Sequence, residues 1–168
     1  MDRKLVKKAE KLRDELLASA QTLGITILSP SKEGDELPDI GFAPFIRHAG
    51  CFYIYSSDLS SHIRSLIAGQ PAQFFLIADE GRSPNIWARV RMKFTADVIE
   101  IDRDAAEFQT ILDDIGNAHG PVMDLICEFT DFHLFKMTPI NGSLVTGFAA
   151  AFTIEGADFT ITEHLRQG

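Results

Sequence analysis

Residues 131–154, DFHLFKMTPINGSLVTGFAAAFTI, hold two apolar runs joined at Asn141-Gly142. Asn-Gly between two such runs is the strongest short-range signal for a β-hairpin, because both residues tolerate the positive φ of a tight turn. A hairpin is therefore predicted with strands at 131–140 and 143–154. Upstream, residues 85–101 read as one long strand, and residues 73–78 (QFFLIA) as a buried strand by their unbroken apolar run. Earlier strands are predicted at 39–46 and 51–56, with a turn at Ala49-Gly50, and from Ile25 to Leu28 after the break at Gly24.

Helices separate these strands. Residues 2–20 carry Leu5, Ala9, Leu12 and Leu16 on one side and lysines and glutamates on the other. Residues 58–68 align Leu59, Ile63, Leu66 and Ile67 and stop at Gly69. Residues 102–115 align Phe108, Ile111, Leu112 and Ile115, with Asp102 or Asp104 as cap. A short helix follows Pro121, and polar loops are predicted at 29–38 and 79–84. The order ββαββααββ lacks the regular βαβα alternation of a parallel sheet. It predicts an α+β fold in which six or seven antiparallel strands curl into a small barrel with flanking helices, removing sheet edges. The chain reads as a single domain over 1–168, with an N-terminal helix in 1–22 and a tail at 156–168.

Composition narrows the function. Sixteen Lys and Arg against 24 Asp and Glu leave a formal charge of −8, which argues against a duplex nucleic-acid partner. No apolar run approaches the ~20 residues of a membrane span. The opening MDRKLVKKAEKLRDELL has no apolar signal core. Cys51 and Cys127 form no CxxC, and the five histidines form no HxH or HExxH, so no dedicated metal cluster is predicted. Together these features predict a cytoplasmic protein. P-loop, GxGxxG and GxSxG patterns are absent.

Two segments stand out chemically. If 85–101 is one strand, Trp87, Arg89, Arg91 and Lys93 share a face, a row of cations in an acidic protein. Such a row is either a solvated face paired with neighbouring carboxylates or a seat for phosphate or carboxylate, which arginine's planar fork matches. The run Ser56-Ser57-Asp58-Leu59-Ser60-Ser61-His62-Ile63-Arg64 passes from a strand end into a helix start. Its serines serve either as ordinary caps or, with His62 and Arg64, as an anion seat. Asp131 and His133 share the face of a predicted strand and could form a simple hydrogen-bonded pair.

Several of these segments together resemble one family. Gly41-Phe42-Ala43-Pro44-Phe45, Phe52-Tyr53-Ile54-Tyr55-Ser56, Ala88-Arg89-Val90-Arg91-Met92-Lys93-Phe94, Asp131-Phe132-His133-Leu134-Phe135 and Gly147-Phe148-Ala149-Ala150-Ala151-Phe152 match in order and spacing. The chain resembles the pyridoxamine 5′-phosphate oxidase-like, FMN-binding split-barrel superfamily over about residues 20–155, and in particular its haem-utilisation branch (HugZ and HutZ type proteins). The resemblance implies a homodimer of split barrels with cofactor sites between subunits. For FMN, it places Tyr55, Ser56, Ser61 and His62 near the phosphate and ribityl chain, and Pro44 and Phe45 beside the flavin ring. Arg64, Arg89 and Arg91 add cationic anchors, although Ser61-His62 stands where the oxidases carry an Arg-Lys pair.

For haem, the resemblance makes Arg91 and His62 pocket residues and Asp131 the partner of an iron-ligating histidine. That ligand follows a His-Leu-x-x-Gly stretch, which His164-Leu165-Arg166-Gln167-Gly168 reproduces, leaving His164 as this chain's substitute. The first functional expectation is an FMN-binding oxidoreductase acting on an unspecified small molecule. The alternatives are a haem-binding or haem-degrading protein using the same pocket, and a cofactor-binding dimer without catalysis.

Overall fold

The computed structural model describes residues 2–30 and 34–165. Helix α1 (Arg3–Ser19) starts where the Asp2 carboxylate accepts the Lys4 N–H at 2.8 Å. Strands β1 (Thr22–Pro30), β2 (Glu36–Pro44), β3 (Ile46–His48) and β4 (Cys51–Ser57) lead into α2 (Ser61–Ile67). There follow β5 (Ala72–Ile77), a 3-10 turn (Ile86–Ala88), β6 (Arg91–Ile101), α3 (Phe108–His119) and α4 (Met123–Ile126). Strands β7 (Phe132–Gly147), β8 (Ala150–Glu155) and β9 (Thr160–Leu165) complete the described residues.

All pairings are antiparallel, in the order β2-β1-β5-β6-β7-β4-β3, with β8 on β7 and β9 on β8. The α+β fold agrees with expectation, but among the described residues the sheet has nine strands and its hydrogen-bonded ladder does not close. Strand β7 is long enough to pair with β4 through Phe132–Met137 and with β8 through Asn141–Gly147.

Alternation makes the core. Leu23 and Ile25 of β1, Phe74 and Leu76 of β5, and Met92 and Phe94 of β6 point inward beneath Phe52, Phe152 and Phe159. Each such phenylalanine contributes roughly 1.5–3 kcal/mol by leaving water. Strand β4 is buried on both faces. Phe52 and Ile54 enter this core, while Tyr53 and Tyr55 enter a second one formed with Phe108, Ile111, Leu112 and Ile115 of α3.

Four sequence expectations need correction. The 85–101 strand is broken: the chain makes the 3-10 turn, and β6 starts only at Arg91. Asn141-Gly142 is no turn but lies inside β7, where Ile140 bulges out of register opposite Thr95/Ala96. A Cβ on Gly142 would overlap the Lys93 carbonyl oxygen, so the glycine serves the close approach of β6. The hairpin turn falls instead at Phe148-Ala149, with Ala149 at φ 51°. Finally, the tail contains β9, and α3 starts at Phe108 rather than at Asp102 or Asp104, because residues 102–107 first make turns in which the Asp102 carbonyl accepts the Ala105 N–H at 2.9 Å.

Candidate functional site

The alternation that buries Met92 and Phe94 turns Arg91 and Lys93 to the outer face of the sheet. Arg91 lies opposite Ile77 on β5 and Val145 on β7, and Lys93 opposite Phe75 and Ser143. Phe75 neighbours Gly24, whose other neighbour is Phe42 of β2. The missing side chain of Gly24 leaves a shallow hollow of about 410 Å³ bordered by Ile40, Phe42, Phe75 and Ile77. Phe42 is 72% exposed and Ile40 78%, an apolar surface of the kind that contacts partners or ligands. Arg91 donates to the Arg89 carbonyl at 3.1 Å, and among the described residues neither Arg91 nor Lys93 forms an ion pair.

Trp87 and Arg89 do not join this row, because the chain turns there instead of continuing as a strand. Arg89 folds back to donate twice to the Ala78 carbonyl, at 2.6 and 3.1 Å, and pairs with Glu80 at 3.3 Å. It lies in the wall of a cleft of about 1220 Å³ between α1 and the β5–β6 connection, with Lys8, Glu15, Asp79 and Arg82.

The β4–α2 corner is built differently, since nearly every polar group there has a partner. Ser61 donates to Asp39 at 2.5 Å, and this bond, opposed by partial burial, holds the Asp39 carboxyl below the usual range. Arg64 donates to the Asp58 and Leu59 carbonyls at 2.6 and 2.9 Å. Ser57 donates to Asp131 at 2.5 Å, and the Asp131 carbonyl accepts the Asp58 N–H at 2.8 Å. His133 bridges Glu100 at 2.7 Å and Asp58 at 3.3 Å. Burial opposes the charge on His133, but these two carboxylates outweigh it and raise its pKa. Asp131 precedes β7 and serves Ser57, so the expected pairing of Asp131 with His133 gives way to two separate clusters.

His62 packs against Gly41 of β2. A Cβ on Gly41 would overlap Cε1, Nε2 and Nδ1 of the ring at near-equal distances, so the imidazole meets the backbone with its flat face. Burial lowers the His62 pKa, partly offset by Asp39. Gly41 shares the inward face of β2 with buried Ala43, whereas Phe42 faces out. His62 and Arg91 therefore occupy opposite sides of the sheet within one chain.

The other sequence candidates scatter. Tyr55 is buried in the second core, where its hydroxyl donates to the Cys127 carbonyl at 3.3 Å and accepts from Arg103 at 3.2 Å. Phe45 is 4% exposed and belongs to the main core, while Pro44 is exposed at the end of β2. Ser56, opposite His133, is half-buried. His164 donates to the Ala149 carbonyl at 2.9 Å and stacks on Phe152 at 5.0 Å.

Three structurally important groups escaped sequence reading. Asp39 looked like part of a plain strand. His119 donates to the Phe45 carbonyl at 2.8 Å and so pins the β2–β3 corner to α3. Arg103 donates to the carbonyls of Phe129 and Phe132, at 2.5 and 3.0 Å, fixing the connection that carries Asp131. The only local signal for Arg103 was a cation placed just after a strand.

No family model matches the chain. The fold is nonetheless that of the split-barrel proteins, as comparison with solved structures shows. HutZ, the haem storage protein from Vibrio cholerae, superposes with a TM-score of 0.71 at 24% identity, covering 83% of this chain and 94% of its own. Campylobacter jejuni ChuZ gives 0.75 at 23% identity, over 96% of this chain and 68% of its own. A Clostridium acetobutylicum protein of the pyridoxinephosphate oxidase family, related to general stress protein 26, gives 0.61 at 13% identity, over 92% and 96%. Among curated sequences, the haem oxygenase HutZ of Vibrio cholerae is 28% identical over 131 residues, 78% of this chain and 74% of its own. The resemblance to the haem-utilisation proteins thus holds in both sequence and fold, and the resemblance to the oxidase-like split barrels in fold. No helix among the described residues is long and apolar enough to cross a membrane.

Proposed function

We propose that the chain is a haem-binding protein of the haem-utilisation type, acting as a homodimer with haem seated between subunits. The observation that carries this reading is the outer face of β2, β5 and β6, where exposed Phe42, Phe75 and Ile77 adjoin two cations without ion-pair partners among the described residues. Haem is a flat apolar ring with two carboxylates, and this surface offers apolar contact beside Arg91 and Lys93, whose donors suit propionates. The likeness to HutZ supports the same conclusion. Bound haem would supply iron-centred redox chemistry. The chain's part is to hold the propionates, cover the ring and orient a nitrogen ligand.

FMN, the first expectation, has less support. Asp39 already accepts the Ser61 hydroxyl and places a carboxylate where the flavin phosphate was expected, and Arg64 serves backbone carbonyls. The Clostridium relative carries the fold argument alone. An exposed apolar sheet face supports the homodimer, and a net charge of −8 supports a small molecule rather than nucleic acid as ligand. Two cysteines without a disulfide support a cytoplasmic placement.

Titration of the purified protein with haem tests the reading. A saturable Soret band at one haem per subunit is expected. A protein that takes up FMN with the usual flavin absorption pair, and leaves the haem spectrum at its free form, would overturn it.

A further inference from the structure

We infer that the solvent face of α1 docks the protein on an anionic lipid bilayer, a role independent of the haem reading. Residues 3–13 hold six of the sixteen Lys and Arg and one carboxylate, Glu10, so this stretch carries +5. The other ten cations and 23 carboxylates leave −13 on the rest of the chain. At about 100° per residue, Ala9 and Leu16, buried in the main core, lie opposite Arg3, Lys4, Lys7, Lys8 and Lys11, all exposed. Five cations thus form one stripe about 12 Å long on the side of the helix. Arg13 stands apart: its side chain is 15% exposed and donates to the Phe159 carbonyl at 3.0 Å, which holds the helix to the body. Of the five, only Lys11 has an ion-pair partner among the described residues, Glu15 at 3.6 Å.

Helix stability does not account for this arrangement. The helix dipole favours acids at the N-terminus, yet after the cap Asp2 the first turn carries Arg3 and Lys4 and no acid. Lys4 repels Lys7 and Lys8, and both repel Lys11, at spacings of three and four. Lys11 also precedes Glu15, the less favourable order for such a pair. An extended anionic surface against the stripe offsets these repulsions. Lysine is depleted in protein–protein interfaces, and the overall negative charge opposes a duplex, whereas a lysine row on a surface helix suits the headgroups of an anionic bilayer. The apolar side of α1 is used in the core, so the helix lies on the headgroups without inserting. Charge elsewhere is placed to permit this. Residues 97–131, through α3 and α4, carry ten carboxylates against Arg103 alone. α3 packs on the Tyr53 and Tyr55 face of β4, whereas α1 joins the core on the Phe52 and Ile54 face, so β4 separates the acidic helices from the basic one.

The test sediments the full chain with vesicles of phosphatidylcholine alone or of equal parts phosphatidylcholine and phosphatidylglycerol. It is run at about 0.05 M salt and again at about 1 M, where screening confines exposed charges to roughly 3 Å. Wild type is expected to sediment with the anionic vesicles only and to be released at high salt. Lys4→Gln combined with Lys8→Gln lowers the apparent vesicle affinity by about 10–100-fold, the effect of removing two lysines from a membrane-facing surface. Lys4→Arg combined with Lys8→Arg binds as wild type, as does Lys136→Gln, which removes a cation from β7 opposite Tyr53. Far-ultraviolet circular dichroism establishes that each variant is folded. Equal sedimentation with neutral vesicles, no sedimentation with anionic ones, or unchanged binding by the double glutamine variant overturns the proposal. So does tighter retention on duplex DNA than on the anionic vesicles. None of these outcomes bears on the haem titration, so the two readings fail separately.

Discussion

Phe74 and Phe75 are adjacent on one strand and have opposite fates. Phe74 is fully buried between Phe94 and the rest of the core, with ring centroids 5.5 Å apart. Phe75 is 36% exposed and sits opposite Lys93. The same contrast runs along β6, from Met92 and Phe94 inside to Arg91 and Lys93 outside. The inner face is finished within one chain. The outer face combines exposed aromatic surface with cations that form no ion pair among the described residues, the composition of surfaces that contact partners or ligands. The β4–α2 corner stands between these extremes, polar like the outer face but internally satisfied like the core.

The sharpest test of this contrast is Phe74→Ala, which is expected to lower the free energy of unfolding by about 3–5 kcal/mol in urea melts. If Phe75→Ala costs as much in the isolated subunit, the two faces are not different in kind. Next in size is the double change Phe42→Asp with Phe75→Asp. It should convert the proposed dimer to monomer in light scattering, with a loss of about 2–4 kcal/mol of association energy and a folded circular dichroism spectrum. A double variant that remains dimeric would put the subunit contact elsewhere.

Arg91→Ala should weaken haem binding by about 1–3 kcal/mol, the range for a hydrogen bond to a charged group. Unchanged titration curves would remove Arg91 from the site. The smallest effect concerns the corner. The His133 pKa is raised in the folded state above its ordinary 6.5. Its contribution is therefore complete below pH 6.5 and lost as pH rises through the folded value. The stability of wild type relative to His133→Gln should decline on raising the pH past 6.5, by under about 1 kcal/mol because water screens its partly exposed carboxylate partners Asp58 and Glu100. A flat difference would show that Glu100 and Asp58 do not bias its charge.

Much of the fold was legible locally. Apolar runs between breaks identified the strand cores of β1, β4 and β5, and the stripes of α1 and α3 predicted their buried faces, as Leu16, Phe108, Ile111, Leu112 and Ile115 bear out. Gly69 ends α2 with a positive φ of 74°, as a helix-stopping glycine should. Asn141-Gly142 misled because its turn propensity competes with pairing to β6, and the ladder wins when the glycine lets two backbones approach. Residues 160–165 carry little apolar signal, so only the open edge of β8 makes them a strand.

The candidate site was legible as a set of residue types and not as an arrangement. Arg91 and His62 were singled out from their motifs, yet nothing along the chain places them on opposite sides of a sheet. Nor does it tie Arg89 to Ala78, or bury Tyr55 beneath α3.

The order of amino acids alone determined which side chains are apolar at period two or near 3.6, and hence the α+β class, the barrel core and the cations on β6. Tertiary structure decided which strands lie side by side, which polar groups find partners, and which face stays exposed. Periodicity acts over a few neighbouring residues through backbone geometry. Hydrogen-bond partners and exposure depend on groups brought together from distant positions, and only the folded chain brings them there.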